Sequence, residues 1–254
     1  MSFQTIKVRY EENICFLQLY RPEANNTINA LLIQECIQVL NDCEENIGII
    51  VFEGLPDVFC FGADFQGMHD QVSIGAVVES RPDVLYELWT RIATGPFITI
   101  CHARGKTNAG GIGFLSACDI VIAERKATFS LSELLFGIYP ACVLPFLIRR
   151  IGFQKANYLT LMTKPISTDE AFFCHLVDVV DDNSEQALKK HLLRLRRLSK
   201  ASVIRYKIYM NQLNNIIHDA KDVAIKNNQE MHHIPGVTDG IIRFVKTGAL
   251  PWES

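Results

Sequence analysis

The sequence predicts an α/β protein, and three patterns carry that prediction. Residues 4–20 alternate polar and apolar side chains (Ile6, Val8, Tyr10, then Cys15, Leu17, Leu19) around the polar break Glu11-Glu12-Asn13, which is the pattern of a β-hairpin. Strand-length apolar runs and helical spacings then alternate to about residue 150. Beyond that point strand signals give way to helical ones, so an α/β core precedes a mostly helical C-terminal portion.

In order, Ala30–Glu45 has helical spacing through Ile33, Ile37 and Leu40, and Gly48–Glu53 is a buried strand closed by the turn Gly54-Leu55-Pro56-Asp57. Phe97–Cys101 is a second apolar strand, followed by a glycine-bearing loop and the apolar stretch Ile112–Cys118. Asp119–Ala123 and Thr128–Ser130 are further short strands. Phe153–Met162 reads as a helix, and Ser167-Thr168-Asp169-Glu170 is a capping box that opens the next. Residues 184–230 are helical and charge-rich, Pro235-Gly236 breaks them, and Asp239–Thr247 is a final helical turn.

Of 254 residues, 48% are hydrophobic and 21% charged, with a formal net charge of -3. That balance suits a soluble globular protein and argues against a collagen-like repeat, a long disordered tail or a polybasic nucleic-acid binder. No apolar run approaches the roughly 18–20 residues of a membrane helix. Met1–Tyr10 has no apolar segment of a secretory signal, so a cytoplasmic location is expected. The eight scattered cysteines form no Cys-x-x-Cys pair and sit among apolar neighbours, as free buried thiols do. His232 and His233 are adjacent and cannot share one helix face, so no metal site is expected there. Lys189, Lys190, His191, Arg194, Arg196, Arg197 and Lys200 form a basic stretch in a mildly acidic chain, either a solvated helix face or a docking surface for an acidic partner or phosphate groups.

Two segments place glycines between a strand and a helix start: Phe59-Cys60-Phe61-Gly62-Ala63-Asp64, and Asn108-Ala109-Gly110-Gly111-Ile112-Gly113. Backbone N–H groups at a helix start are unpaired and carry the positive end of the helix dipole. Two of them converging on one point make an oxyanion hole that stabilises an enolate by several kcal/mol. A phosphate cradle is the competing reading, but neither nucleotide-binding glycine motif is present. Each cluster taken alone is equally consistent with plain turn glycines.

The order Arg21-Pro22-Glu23-Ala24-Asn25-Asn26, Phe59–Asp64, Asn108–Gly113 running into Cys118-Asp119-Ile120, and Phe129–Pro140 resembles the enoyl-CoA hydratase/isomerase (crotonase) superfamily. Thr163–Val180 and Asp239–Val245 resemble its later segments, so the resemblance spans essentially the whole chain. It implies a spiral core of repeated ββα units over residues 1–195 and a helical subunit-contact region over 196–254, assembled as a trimer or hexamer. It also implies that Ala63 and Gly110 supply the oxyanion-hole N–H groups. Of the two glutamates that flank substrate in the family's hydratases, one matches Glu133; the other matches Gly113, which has no side chain.

Arg21–Asn29, Val58–Phe65, Phe129–Cys142 and Leu144–Gly152 look, more narrowly, like the dehydratases of bacterial polyketide β-branching cassettes. That resemblance implies conversion of a 3-hydroxy-3-methylglutaryl group on an acyl carrier protein to the 3-methylglutaconyl form. No metal or organic cofactor is implied, the substrate's handle being the carrier's phosphopantetheine, or coenzyme A. One carboxylate suits removal of a proton beside a thioester carbonyl, or delivery of one to a departing hydroxyl. Glu133, flanked by Leu131, Leu134 and Leu135, is the expected acid/base, with Asp64 a second candidate in a position that more often caps a helix. Asn108, Tyr139 and Tyr86 are candidate pocket residues, although Tyr86 and Trp89, sharing a helix face, could equally fill the core. Arg104, Lys106, Lys164 and residues 67–83 are candidates for the substrate's free carboxylate. Alternatives are a coenzyme A hydratase or isomerase, and a silent crotonase-like binding subunit.

Overall fold

A computed structural model describes residues 3–67, 81–231, 234 and 236–248. The strands are β1 (Ile6–Glu11), β2 (Ile14–Leu19), β3 (Ile49–Glu53), β4 (Val58–Cys60), β5 (Ile98–Ala103), β6 (Lys106–Asn108), β7 (Ile120–Glu124), β8 (Thr128–Ser130), β9 (Ile166–Ser167) and β10 (Val179–Asp181). The helices of the core are α1 (Ala30–Cys43), α2 (Pro82–Thr94), α3 (Gly110–Ala117), α4 (Leu144–Ile151), α5 (Phe153–Met162) and α6 (Thr168–Phe173). After them come α7 (Ser184–Leu195), α8 (Lys200–Leu213), α9 (Ile216–Asp219), α10 (Lys221–Met231) and α11 (Val237–Thr247).

Two sheets organise the chain. One has six strands in the order β1-β2-β3-β5-β7-β10, the other four in the order β4-β6-β8-β9. The predicted hairpin is antiparallel, with Ile6 opposite Leu19, and β2, β3, β5, β7 and β10 pair in parallel. Each pass therefore gives one strand to each sheet and then a helix: β3–β4–α2, β5–β6–α3, and β7–β8 leading to α4. This is a spiral of ββα units.

Side-chain alternation sorts the large sheet's two faces. Ile50 and Phe52 of β3 join the main core with α1, α2, α3 and α4, while Ile49 and Val51 point into a smaller cluster closed by Ala187, Leu188 and Leu192 of α7 and Val203 of α8. Polar ties lock the later helices down. His102 accepts or donates at both ring nitrogens, to Ser184 Oγ at 2.9 Å and Glu53 Oε1 at 3.2 Å, and Lys207 Nζ donates to Asp119 Oδ2 at 2.8 Å and Phe97 O at 3.0 Å.

Several expectations are corrected here. Strands do occur after residue 150: β9 pairs antiparallel with β8 and β10 extends the large sheet beside β7. At two and three residues, neither is long enough to show a period. β4 and β6 were also not legible, because three-residue strands next to glycine loops look like turn. The capping box at Ser167 and Glu170 forms as predicted, and all eight cysteines are free and buried. No described helix is long and apolar enough to cross a membrane, and no cluster of metal-ligating side chains occurs among the described residues. His232–His233 and residues 68–80 lie outside the described residues.

Candidate active site

The site begins with the segment after β2. Asn26, fully buried, accepts from Arg21 N at 2.7 Å and donates to Leu19 O and Phe59 O, both at 3.0 Å, so one amide ties this segment to β2 and β4. Ile28 then forms an isolated parallel bridge with Ala63: its N–H donates to Gly62 O at 2.7 Å and its carbonyl accepts from Asp64 N at 3.1 Å. That pairing uses the amides on either side of Ala63 and leaves the Ala63 N–H without a partner among the described residues. The Gly110 N–H, first in α3, is likewise unpaired.

The two loops touch. A Cβ on Gly62 would lie 2.7 Å from Ala109 Cβ and 3.3 Å from Gly110 N, so only glycine permits this approach, and its φ of +92° reinforces the requirement. Ala109 itself sits at φ 51°, ψ -121°, a strained conformation for a residue with a Cβ, and this turn aims the start of α3. Two unpaired N–H groups on loops in contact can bind one developing oxyanion.

The second half of the site is the loop after β8. Asn108 Nδ2 donates to Ser132 Oγ at 2.9 Å, Asn108 Oδ1 accepts from Ser130 Oγ at 2.8 Å, and Ala109 N donates to Ser130 O at 3.0 Å. Those bonds strap the glycine loop to the segment that carries Glu133. Glu133 opens a 3-10 turn, Glu133–Phe136, and its Oε2 is enclosed with no hydrogen-bond partner among the described residues. Burial pushes its pKa up to about 7, against the opposing pull of the Ser132 and Glu133 backbone N–H groups. A carboxyl poised there exchanges protons at neutral pH.

The other predicted residues fare differently. Asp64 is engaged on both oxygens, by Arg21 Nη2 at 2.8 Å and by Gly67 N at 2.9 Å, the arrangement of a helix-start cap held by an ion pair. Tyr86 is fully buried, its hydroxyl donates to Ile217 O at 2.6 Å and its ring packs on Phe146. The Tyr139 hydroxyl donates to Asn227 Oδ1 at 2.7 Å, tying the Glu133 loop to α10. Arg104 faces Glu185 and Gly54 O, Lys106 is exposed, and Lys164 lies 3.9 Å from Glu170.

Gly113 carries the largest surprise. A Cβ there would lie 2.4 Å from Trp89 Cζ2 and 2.6 Å from Cε2 and Cη2, so the indole fills the space where a side chain would stand. Trp89 is held edge-on against Phe114 and Phe146. A cavity of about 410 Å³ lies at the far end of α3, between Ser116, Asp119, Arg149 and the α8 residues Tyr206, Lys207 and Met210; neither glycine loop nor Glu133 lines it.

Known proteins share this chain's sequence pattern and fold. The sequence profile of the enoyl-CoA hydratase/isomerase family matches residues 9–254. The chain belongs to that family. Over 254 residues, all of this chain and 98% of the relative, it is 56% identical to the bacillaene synthase dehydratase PksH of Bacillus subtilis. A hydroxycinnamoyl-CoA hydratase-lyase of Pseudomonas fluorescens is 29% identical over 182 residues, 69% of this chain and 66% of the relative. A crystal structure of a polyketide-biosynthesis enoyl-CoA hydratase, PksH, from Bacillus subtilis superposes with a TM-score of 0.95 at 56% identity, covering 97% of this chain and 99% of that one. An enoyl-CoA hydratase/isomerase from Xanthobacter autotrophicus Py2 shares the fold at a TM-score of 0.86 and 18% identity, with 97% and 95% covered.

Proposed function

We propose that this chain is a dehydratase of polyketide biosynthesis that removes water from a 3-hydroxyacyl thioester on an acyl carrier protein. The substrate proposed is the 3-hydroxy-3-methylglutaryl form and the product its 3-methylglutaconyl form. The observation that carries the reading is Glu133, an enclosed carboxyl poised near neutral pH and strapped to the loop that offers an unpaired N–H. The 56% identity with a full-length relative named as a dehydratase supports the direction of the reaction.

In this reading the thioester oxygen lies between the N–H groups of Ala63 and Gly110, which acidifies the C2 proton. The ionised Glu133 takes that proton and its bond electrons delocalise into an enolate held by the two N–H groups. The C3–O bond then breaks, the hydroxyl takes the proton back from Glu133, and water leaves with a C2–C3 double bond formed. Asp64 acts by holding its loop on Arg21 and transfers no proton. No resident metal or organic cofactor enters these steps.

Exposed apolar side chains on α8, among them Tyr206 and Leu213, together with Phe153, Leu161 and Phe173 on α5 and α6 of the spiral core, support assembly with further copies of this chain, a trimer or hexamer in this reading. Intact-mass analysis of a carrier protein loaded with 3-hydroxy-3-methylglutaryl thioester tests the function. Loss of one water with wild type, and none with Glu133→Gln, is the expected result. Turnover of the matched coenzyme A thioester alone would replace this reading with the coenzyme A one, and inertness toward both would leave a binding subunit.

A further inference from the structure

We infer that the indole N–H of Trp89 is the hydrogen-bond donor to the substrate's departing 3-hydroxyl, facing Glu133 across the site. The inference deepens the dehydratase reading and rests on it. Trp89 is 1% exposed, yet its Nε1 has no hydrogen-bond partner among the described residues, and a buried donor left unpaired is costly. Glu133 Oε2 is the complementary case, an enclosed acceptor without a donor. A hydroxyl group is the simplest chemistry that answers both, donating to a carboxylate while accepting from an N–H.

Both groups are tied to the start of α3. Gly110 and Gly113 are three residues apart in α3 and so share a face, about one turn from each other. The indole lies against Gly113 with Cε2, the atom bonded to Nε1, 2.6 Å from where a Cβ would be. It therefore occupies the face of α3 that begins with the unpaired Gly110 N–H. The segment that carries Glu133 is tied to the residues just before the same helix start by the Ser132–Asn108 bond.

Three other side-chain donors among the described residues are engaged elsewhere. Asn108 is spent on Ser130 and Ser132, the Tyr139 hydroxyl on Asn227, and the Tyr86 hydroxyl on Ile217. Ser116, whose hydroxyl is also unpartnered, lines the cavity at the far end of α3. In the elimination, C3–O cleavage puts charge on the leaving oxygen while Glu133 returns its proton. The Trp89 N–H stabilises that charge and keeps its own proton.

The chain has two tryptophans, so the test has a direct spectroscopic readout. With 15N-labelled tryptophan in the full-length protein, Trp252→Phe identifies the Trp89 indole signal. The probe is an amide analogue of 3-hydroxy-3-methylglutaryl-pantetheine, compared with the same compound lacking the hydroxyl. A downfield shift of the Trp89 N–H with the hydroxylated probe alone is expected; no shift, or equal shifts with both, overturns the inference. Trp89→Phe, which removes the N–H and keeps an aromatic ring, is expected to lower kcat about 10- to 100-fold with little change in KM. Unchanged kcat in a folded Trp89→Phe protein also overturns it. If wild type fails to dehydrate carrier-bound substrate, the functional reading falls, while the two-probe comparison still reads the Trp89 contact.

Discussion

Asn108 and Ser132 are joined by a 2.9 Å hydrogen bond, and through it the glycine loop is tied to the segment that carries Glu133. With Ser130 bonded to the same amide, both functional groups of Asn108 are used for positioning. Asn108→Ala is expected to lower kcat about 10- to 100-fold, because misplacing an acid/base by a fraction of an ångström is costly. KM and the apparent pKa of the rate profile should stay near wild-type values. A variant whose loss appears only in KM would place Asn108 in substrate binding instead.

On the proposed mechanism Glu133 sets the pH dependence of the rate, and its burial sets a pH dependence of stability. Acting first as a base, it must be ionised, so kcat/KM should rise with pH and level off above about 7. Glu133→Gln should remove that limb and cost about 10²- to 10⁴-fold in rate. The sign for stability is opposite. A carboxyl whose pKa is raised on folding is no burden below its unfolded value near 4.5, and its burial penalty grows as pH rises through about 7. Relative to wild type, Glu133→Gln should gain up to about 3 kcal/mol between pH 4 and pH 8, read by urea unfolding at the two pH values. Equal differences at both pH values would contradict an enclosed carboxyl.

Much of this was readable from the chain, and the unreadable parts share a cause. The hairpin, α1, β3, β5 and the capping box at Ser167 and Glu170 all follow from local periodicity or capping chemistry. β4 and β6 did not, because they are short strands whose partners are remote in sequence, Val58 with Lys106 and Lys106 with Thr128. The glycine loops stand out by their place between strand and helix start, and Glu133 only through the family resemblance, whereas the role of Asn26 has no such signal. Only its place inside Arg21–Asn29 hinted at it, since a buried amide bridging Leu19 and Phe59 leaves no local pattern. Tyr86 and Trp89 share a helix face, and the sequence did not say that one bonds Ile217 while the other fills the space beside Gly113.

Gly113 and Trp89 should therefore behave as a coupled pair. Gly113→Ala forces a methyl group into the indole and is expected to destabilise by about 1–3 kcal/mol, the usual cost of overpacking. In a Trp89→Phe background the smaller ring frees that space, so the same glycine substitution should cost less than half as much. A double-mutant cycle on thermal or urea unfolding measures the coupling. Strict additivity would mean that the indole does not hold the position.

The basic stretch of residues 189–200 separates into two sets, and that division defines the last prediction. Lys200 Nζ donates to the carbonyls of Cys43, Glu44 and Ile47 at the end of α1, and Arg196 lies 3.6 Å from Glu12, so these two serve the fold. Lys189, Lys190, Arg194 and Arg197 are exposed and make no ion pair among the described residues. An acidic carrier protein would be drawn to those four by long-range charge, which speeds encounter without touching the chemical step. Reversing Lys189, Lys190, Arg194 and Arg197 to glutamate should raise KM for carrier-bound substrate at least tenfold at low salt and leave kcat within about twofold. The matched pantetheine thioester, which has no carrier surface to dock, should show no change, and added salt should shrink the difference between variant and wild type. An equal effect on both substrates would trace the loss to the fold, and no effect on either would place the carrier on another face.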